Sequence, residues 1–348
     1  MQRSQMIAGM NNIQILATLG PSSLEKETIS RMATAGVCLF RINLSHTRIE
    51  DLEDVIQFIQ SCTDVPVCLD SEGSQVRTQQ FIDDAISLDV DGQVRVHFDP
   101  VEGDKQNLSL YPSGIASELE PDDLIDIDFH GIQLRVVAKK ETYCECTVET
   151  PGKMGANKAV VVNRSISLPA MTEKDIQAAQ IGRRLGIQHF ALSFASSAED
   201  VDLFRSHIGE EAQLIAKIES IKGIRNLIEI ADCTGAILID RGDLSREVPI
   251  EQIPFLQRRI VSSVRSRHKP VYVATNLLES MVEWHQPNRA EVNDVVSTLE
   301  MGAIGLVLAA ETAIGNHPVE SVETIRRLIK HYERWTPNTS FEELLETD

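Results

Sequence analysis

Eight short apolar runs punctuate the chain, at 13–17, 37–42, 65–69, 189–193, 214–218, 236–239, 271–274 and 305–308, with amphipathic stretches between most of them. Runs that are apolar throughout, rather than alternating, suit strands buried on both faces, as in a parallel sheet covered by helices. The stretches 24–35, 49–61, 173–185 and 250–267 have the helical spacing that such a cover needs. Two of them carry start signals: Pro21-Ser22-Ser23 before the first, and Thr172 with Asp175 three residues later before the third. Eight strand–helix units predict an α/β fold, a (β/α)8 TIM barrel, which typically takes about 250 residues.

The rhythm breaks once, between the third run and the fourth. There the segments 94–98, 124–127, 132–137 and 143–148 are short and alternating, and Asp91-Gly92, His130-Gly131 and Pro151-Gly152 read as turns. This pattern predicts a small all-β domain at 79–165, inserted in a discontinuous barrel domain formed by 1–78 and 166–336. An acidic tail follows at 337–348.

Composition narrows the function classes. A net charge of −19 argues against nucleic acid or an anionic membrane as the main partner, while a few basic groups in a cleft still permit an anionic substrate. No segment approaches the roughly 20 apolar residues of a membrane span. The start, Met1-Gln2-Arg3-Ser4 with Asn11 and Asn12 close behind, lacks the apolar core of a signal peptide. The six cysteines lack paired metal spacing and read as reduced, buried thiols, so a cytoplasmic protein is expected.

Chemistry concentrates where the strands end, the face on which such barrels build active sites. Lys217 and Glu219 stand two residues apart at the end of the fifth run and so point to one side of a strand. Asp243 follows the sixth run, in Asp240-Arg241-Gly242-Asp243. An ammonium beside two carboxylates can bind a divalent cation and stabilise a developing oxyanion. Other strand ends offer Arg41, Asn43, Ser45 and His46, then Asp70, Ser71, Glu72 and Arg77, then Ser193, Thr275 and Glu311. Each has a plainer reading when taken singly. Lys217–Glu219 could be a solvated ion pair, Arg41 or Arg77 a structural cation, His46 a helix cap, and Thr275 a core hydroxyl. Asn43 and Ser45 could bond loop backbone, and Glu279, Ser280, Arg289 and Glu291 fit a loop-stabilising role. Their convergence on one rim is what favours a site.

At these residues the chain resembles the pyruvate kinase family. Thr18-Leu-Gly20-Pro21-Ser22-Ser23 is similar to its TxGPxS, Arg41-Ile-Asn43-Leu-Ser45-His46 to RxNxSH, and Leu69 through Thr78 to LDxxGxxxRT. Ser193-Phe194, AKIE at Ala216–Glu219, RGDL at Arg241–Leu244, ATxxLESM at Ala274–Met281, RAEVxDV at Arg289–Val295 and ETAxG at Glu311–Gly315 follow in family order. The resemblance implies phosphoryl transfer between phosphoenolpyruvate and ADP, with pyruvate and ATP on the other side. Glu219 and Asp243 would hold Mg2+ or Mn2+. Lys217 and Arg41 would face the transferring phosphoryl group or the enolate oxygen, and Thr275 the carbon that gains a proton. Substrate would meet Asp240, Gly242, Asp243 and Thr275. Asn43, Ser45, Asp70 and the Ser71 carbonyl resemble a K+ site, and Pro21, His46, Arg77 and Lys158 would approach the nucleotide.

Several departures from the family pattern bear on these roles. Asp240 stands where the family usually has alanine, and its charge would repel an anionic substrate by roughly 1–4 kcal/mol unless the side chain pairs with Arg241 or another cation. Glu72-Gly73-Ser74-Gln75 replaces KGPE, Ala309-Ala310 removes a hydroxyl before Glu311, and Asp128-Phe129-His130-Gly131 alters the lid motif. The chain ends soon after the barrel, so allosteric control through a C-terminal domain is not expected, and monomer and homo-oligomer both stay open. Two rival readings remain: an enolate-stabilising lyase, decarboxylase or specialised phosphotransferase for another substrate, and a metabolite-binding homologue without turnover.

Overall fold

The computed structural model describes residues 13–128, 131–164, 166 and 168–345. Phe129, His130 and the expected domain edge at Ser165 lie outside the described residues, as do the first twelve and the last three. The chain divides into two compact units, residues 1–73 with 170–348, and residues 74–169.

In the first unit eight parallel strands close a barrel: β1 (Gln14–Leu19), β2 (Val37–Asn43), β3 (Val67–Asp70), β4 (His189–Leu192), β5 (Gln213–Ile218), β6 (Ala236–Asp240), β7 (Val271–Ala274) and β8 (Gly305–Leu308). Each pairs with its sequence neighbours, and β8 closes on β1. Around them run α1 (Lys26–Ala35), α2 (Leu52–Cys62), α3 (Glu173–Arg184), α4 (Ala198–Ile208), α5 (Leu227–Cys233), α6 (Ile253–Arg265), α7 (Arg289–Met301) and α8 (Pro318–Arg334). The (β/α)8 expectation holds, and its cause is visible in the packing. Outward residues such as Phe40, Leu69, Phe190, Ile237 and Leu306 are buried against apolar helix faces such as Ile56, Ile59, Ile260 and Ile325.

Inward residues form a separate cluster that includes Leu16, Leu39, Cys68, Ala191, Ile215, Leu238, Tyr272 and Val307. The Tyr272 ring needs a neighbour without a side chain. A Cβ on Gly305 would lie 1.7 Å from Tyr272 Cδ1, so this glycine is fixed by the close approach.

Local signals worked unevenly. Thr172 and Asp175 form the expected capping box at the start of α3. The Pro21-Ser22-Ser23 signal does not start α1, which begins at Lys26 behind Glu25 with no side-chain cap. Ser23 Oγ instead accepts from Gly20 N at 3.1 Å and stabilises the preceding turn. The stretch after β2 opens with a 3-10 turn, Ile49–Asp51, whose capping position is Arg48 rather than His46.

The second unit is all-β. A seven-stranded sheet runs in the order Val160–Val162, Leu124–Ile127, Ile132–Lys139, Tyr143–Thr150, Gln93–His97, Asn107–Tyr111 and Arg77–Thr78, and Ala85–Leu88 pairs with Gly152–Gly155. It has its own core, built on Val94, Val96, Leu134, Val136, Cys144, Cys146 and Val148. This unit is wider than the 79–165 read from the sequence. Val76 belongs to its core and Ile166 and Leu168 pack against it, while Arg77 opens a short edge strand. All six cysteines are free thiols, but only Cys68, Cys144 and Cys146 are buried as expected, with Cys62 and Cys233 half-buried and Cys38 exposed; burial pushes the Cys146 thiol up to about 12.

Candidate active site

Period-two alternation turns six of the eight barrel strands from apolar to polar as they reach their carboxyl ends. Inward Leu16 is followed by Thr18, Leu39 by Arg41, Cys68 by Asp70, Ala191 by Ser193, Ile215 by Lys217, and Leu238 by Asp240. These polar groups are nearly all out of water: Arg41 is 4 % exposed, Asp70 0 %, Lys217 5 % and Glu219 1 %. Charges so deep must pair, and they do.

Lys217 is the hub. Its Nζ lies 2.9 Å from Glu219 Oε1, 3.0 Å from Ser193 Oγ, 3.4 Å from Asp70 and 3.9 Å from Asp240 Oδ2. The surface-ion-pair reading of Lys217 and Glu219 therefore does not apply. Arg41 Nη1 stands 3.0 Å from Asp70 Oδ2, and its Nε donates to Thr18 Oγ1 at 2.9 Å. Ser193 Oγ donates to the Ser71 carbonyl at 2.6 Å. Burial opposes the Lys217 ammonium, but Asp70, Glu219 and Asp240 together outweigh burial and hold its pKa above the ordinary value. Glu219 is pushed up, first by burial and then by the charges of Asp243 and Asp240, against a single ammonium.

Asp240 is held by its neighbours. Its Oδ1 accepts from Thr275 Oγ1 at 2.6 Å, Gly242 N at 3.2 Å and Asp243 N at 3.5 Å. It does not turn to Arg241. That guanidinium donates instead through Nε at 3.1 Å, and through Nη2, to the Thr275 carbonyl, while its Nη1 reaches Asp294 Oδ2 at 2.6 Å. Asp240 is thus one of the carboxylates around Lys217, and its pKa is lowered: burial raises it, but Lys217, Thr275 and Arg41 overcome that.

Thr275 and Asn276 sit at φ +76° and +56°, a conformation costly for a β-branched threonine and common at functional sites. The Arg241 fork on the Thr275 carbonyl and the Glu311 carboxylate on Leu278 N (3.0 Å) hold this turn in place. Gly242 makes room for it, since a Cβ there would stand 2.8 Å from Thr275 Cγ2. Glu311 is thereby a buried structural acceptor, and Glu291 holds Ser280 N at 2.7 Å in the same manner, as the loop-stabilising reading of Glu291 expects.

The remaining predicted residues separate into groups. Asn43 and Asp70 are register partners on adjacent strands, with Ser45 and Ser71 just beyond, so the four K+ candidates adjoin. Asn43 Oδ1 accepts from Ser45 N at 2.9 Å. Pro21 and His46 are exposed in the barrel unit. Arg77 and Lys158 belong to the β unit, where Arg77 donates to Gln75 Oε1 and Lys158 pairs with Asp128 at 2.8 Å. Glu72 is neutralised by Lys174, 3.2 Å away at the start of α3. Sequence reasoning missed Lys174, Asp294 and Arg246, the last lying 3.0 Å from Asp243 Oδ1. Arg246 gave a local signal in its i,i+3 spacing from Asp243, and Asp294 stood within the RAEVxDV stretch.

The donor set suits a divalent metal. Glu219, Asp240 and Asp243 each offer an oxygen, all within 4.8 Å of one another. Glu219 Oε1 is buried and, despite the nearby Lys217, has no partner in hydrogen-bond geometry. Hard oxygen donors at this spacing fit Mg2+ or Mn2+.

A closed (β/α)8 barrel with a buried lysine among carboxylates at the strand ends defines a class: barrel enzymes that stabilise an anion as it forms. The family model for the pyruvate kinase barrel domain matches residues 10–322. The chain is 36 % identical over 327 residues to a pyruvate kinase of Methylorubrum extorquens, covering 92 % of this chain and 68 % of that protein. It is 31 % identical to one from Thermococcus litoralis (95 % and 72 % covered) and 32 % identical to one from Thermotoga maritima (93 % and 72 %). The chain belongs to the pyruvate kinase family. It is an enzyme, a phosphotransferase. No helix among the described residues is long and apolar enough to cross a membrane.

Proposed function

We propose that this chain moves a phosphoryl group between phosphoenolpyruvate and ADP, using the buried ring around Lys217. The observation that carries the reading is the Lys217 ammonium, 5 % exposed and fixed among Asp70, Glu219, Asp240 and Ser193. A preorganised cation shielded from water stabilises developing negative charge far better than one in solvent.

In the forward direction the bond between phosphorus and the enol oxygen breaks, and a bond forms to a terminal phosphate oxygen of ADP. The enolate left behind takes a proton on carbon to give pyruvate. Lys217 faces the charge on the enol oxygen or the phosphoryl group, and Arg41, anchored by Asp70 and Thr18, adds a second fixed cation. Thr275 holds its hydroxyl at the rim on the side assigned to carbon protonation, and Gly242 and Asp243 line the substrate position.

Glu219 and Asp243 would hold Mg2+ or Mn2+, which when bound neutralises phosphoryl and enolate charge. Asn43, Ser45, Asp70 and the Ser71 carbonyl are assigned to K+, and Pro21, His46, Arg77 and Lys158 to the nucleotide.

The test is pyruvate formation from phosphoenolpyruvate by the purified chain with a panel of nucleoside diphosphates, Mg2+ or Mn2+, and K+. Turnover with at least one diphosphate is expected. No turnover under any combination would sink the reading.

A further inference from the structure

We propose that Asp240 is a third carboxylate ligand of the divalent-cation site, so that the protein alone holds the ion before substrate arrives. This rests on the metal-dependent reading above and adds a ligand to Glu219 and Asp243.

Three observations support it. The oxygens of Glu219, Asp240 and Asp243 come within 4.8 Å of one another, close enough for one ion to touch all three. Glu219, 1 % exposed, presents Oε1, whose 2.9 Å approach to the Lys217 ammonium is an ion pair outside hydrogen-bond geometry. The charge count is also unbalanced. Four carboxylates (Asp70, Glu219, Asp240, Asp243) face three cations (Arg41, Lys217, Arg246), while Arg241 is already matched by Asp294. A carboxylate in excess of the cations this deep is neutralised either by a proton or by a metal ion.

The orientation of Asp240 supports the same role. Thr275 Oγ1, Gly242 N and Asp243 N all bond Oδ1. That leaves Oδ2, whose approach to Lys217 is long at 3.9 Å, as the oxygen available to a metal. A consequence for the substrate follows. With the Gly242 and Asp243 amides engaged by Asp240, an anionic group of the substrate would be drawn to the metal and Lys217 rather than to those amides.

The experiment is titration of the whole chain with Mn2+ in the absence of substrate, read by the electron paramagnetic resonance of free Mn2+ and by calorimetry. It compares the parent chain with Asp240→Asn, Asp240→Ala, Glu219→Gln and Asp243→Asn. Asp240→Asn keeps an oxygen for Thr275 and the amides, and thermal melting confirms that each variant is folded. One Mn2+ per chain is expected. Both Asp240 variants should weaken binding by about tenfold or more, since affinity for hard cations follows the charge of the ligand set. Equal Mn2+ affinity in the Asp240 variants and the parent, with binding lost in Glu219→Gln, would overturn the third ligand and leave the metal reading standing. So would a parent chain that takes up Mn2+ only when phosphoenolpyruvate is added. Unchanged binding in both Glu219→Gln and Asp243→Asn would overturn the metal reading as well.

Discussion

The barrel interior has two halves built on the same strands, and one step of two residues separates them. In the lower half Leu16, Leu39, Cys68, Ile215 and Leu238 meet in a dry apolar layer. In the upper half Thr18, Arg41, Asp70, Lys217 and Asp240 meet in an equally buried charged layer. Burial is the same and the chemistry opposite. Apolar packing in the lower layer is favourable in itself. The upper layer is tolerable only because each charge has partners. Activity therefore belongs to the upper layer alone, and substitutions in the lower layer should cost stability but not activity.

The largest effect is expected from Lys217→Met. Removing the hub cation should lower kcat by about 10²–10³-fold or more, measured by pyruvate release. It should also cost stability, because Asp70, Glu219 and Asp240 lose their shared partner. Leu238→Ala, one turn of the alternation below Asp240, should cost stability alone. A loss of about 2–5 kcal/mol in chemical denaturation is expected, with kcat of the folded protein near that of the parent. If Leu238→Ala abolished catalysis in the folded enzyme, the separation would fail.

Asp294→Ala removes a group that meets neither metal nor substrate but backs the Arg241 fork on the Thr275 carbonyl. It should lower kcat by about tenfold through a misplaced Thr275, with little change in KM, and Asp294→Glu should recover part of the loss. A KM effect without a kcat effect would make the pair merely structural. The smallest effect concerns His189, at the lower end of β4, whose pKa burial depresses below 6.5. As pH falls below that ordinary value the unfolded chain takes up the proton first, so stability is lost down through the folded pKa. His189→Gln should flatten the melting temperature between about pH 7 and 5, while an unchanged slope would refute the assignment.

Much of this was legible in the sequence because local rules governed it. Continuous apolar runs mark strands buried on both faces, so all eight barrel strands could be placed to within two residues of their observed ends. The Lys217–Glu219 spacing alone put both groups on one face. What could not be read depended on contacts distant in sequence. The sequence leaves Asp240 either repelling substrate or pairing with Arg241 or another cation. The outcome turned on Asp294, 53 residues from Arg241, which claims that guanidinium and leaves Asp240 to Thr275 and Lys217. Glu72 read as a lone misplaced acid because Lys174, its partner, lies beyond the whole β unit. Short edge strands such as Arg77–Thr78 were missed for a related reason: two residues hold no periodicity, and only pairing with Asn107–Tyr111 defines them.

The central claim is that the charged upper layer transfers a phosphoryl group with the help of a divalent cation. Phosphorus NMR of phosphoenolpyruvate and ADP with the purified chain tests it most directly, with and without Mg2+, in the parent and in Glu219→Gln. The account predicts that the enol phosphate signal is replaced by the γ-phosphate of ATP only in the parent and only with the metal. Transfer that proceeds equally without a divalent ion, or in Glu219→Gln, would contradict it, as would an enol phosphate that persists unchanged or appears only as inorganic phosphate.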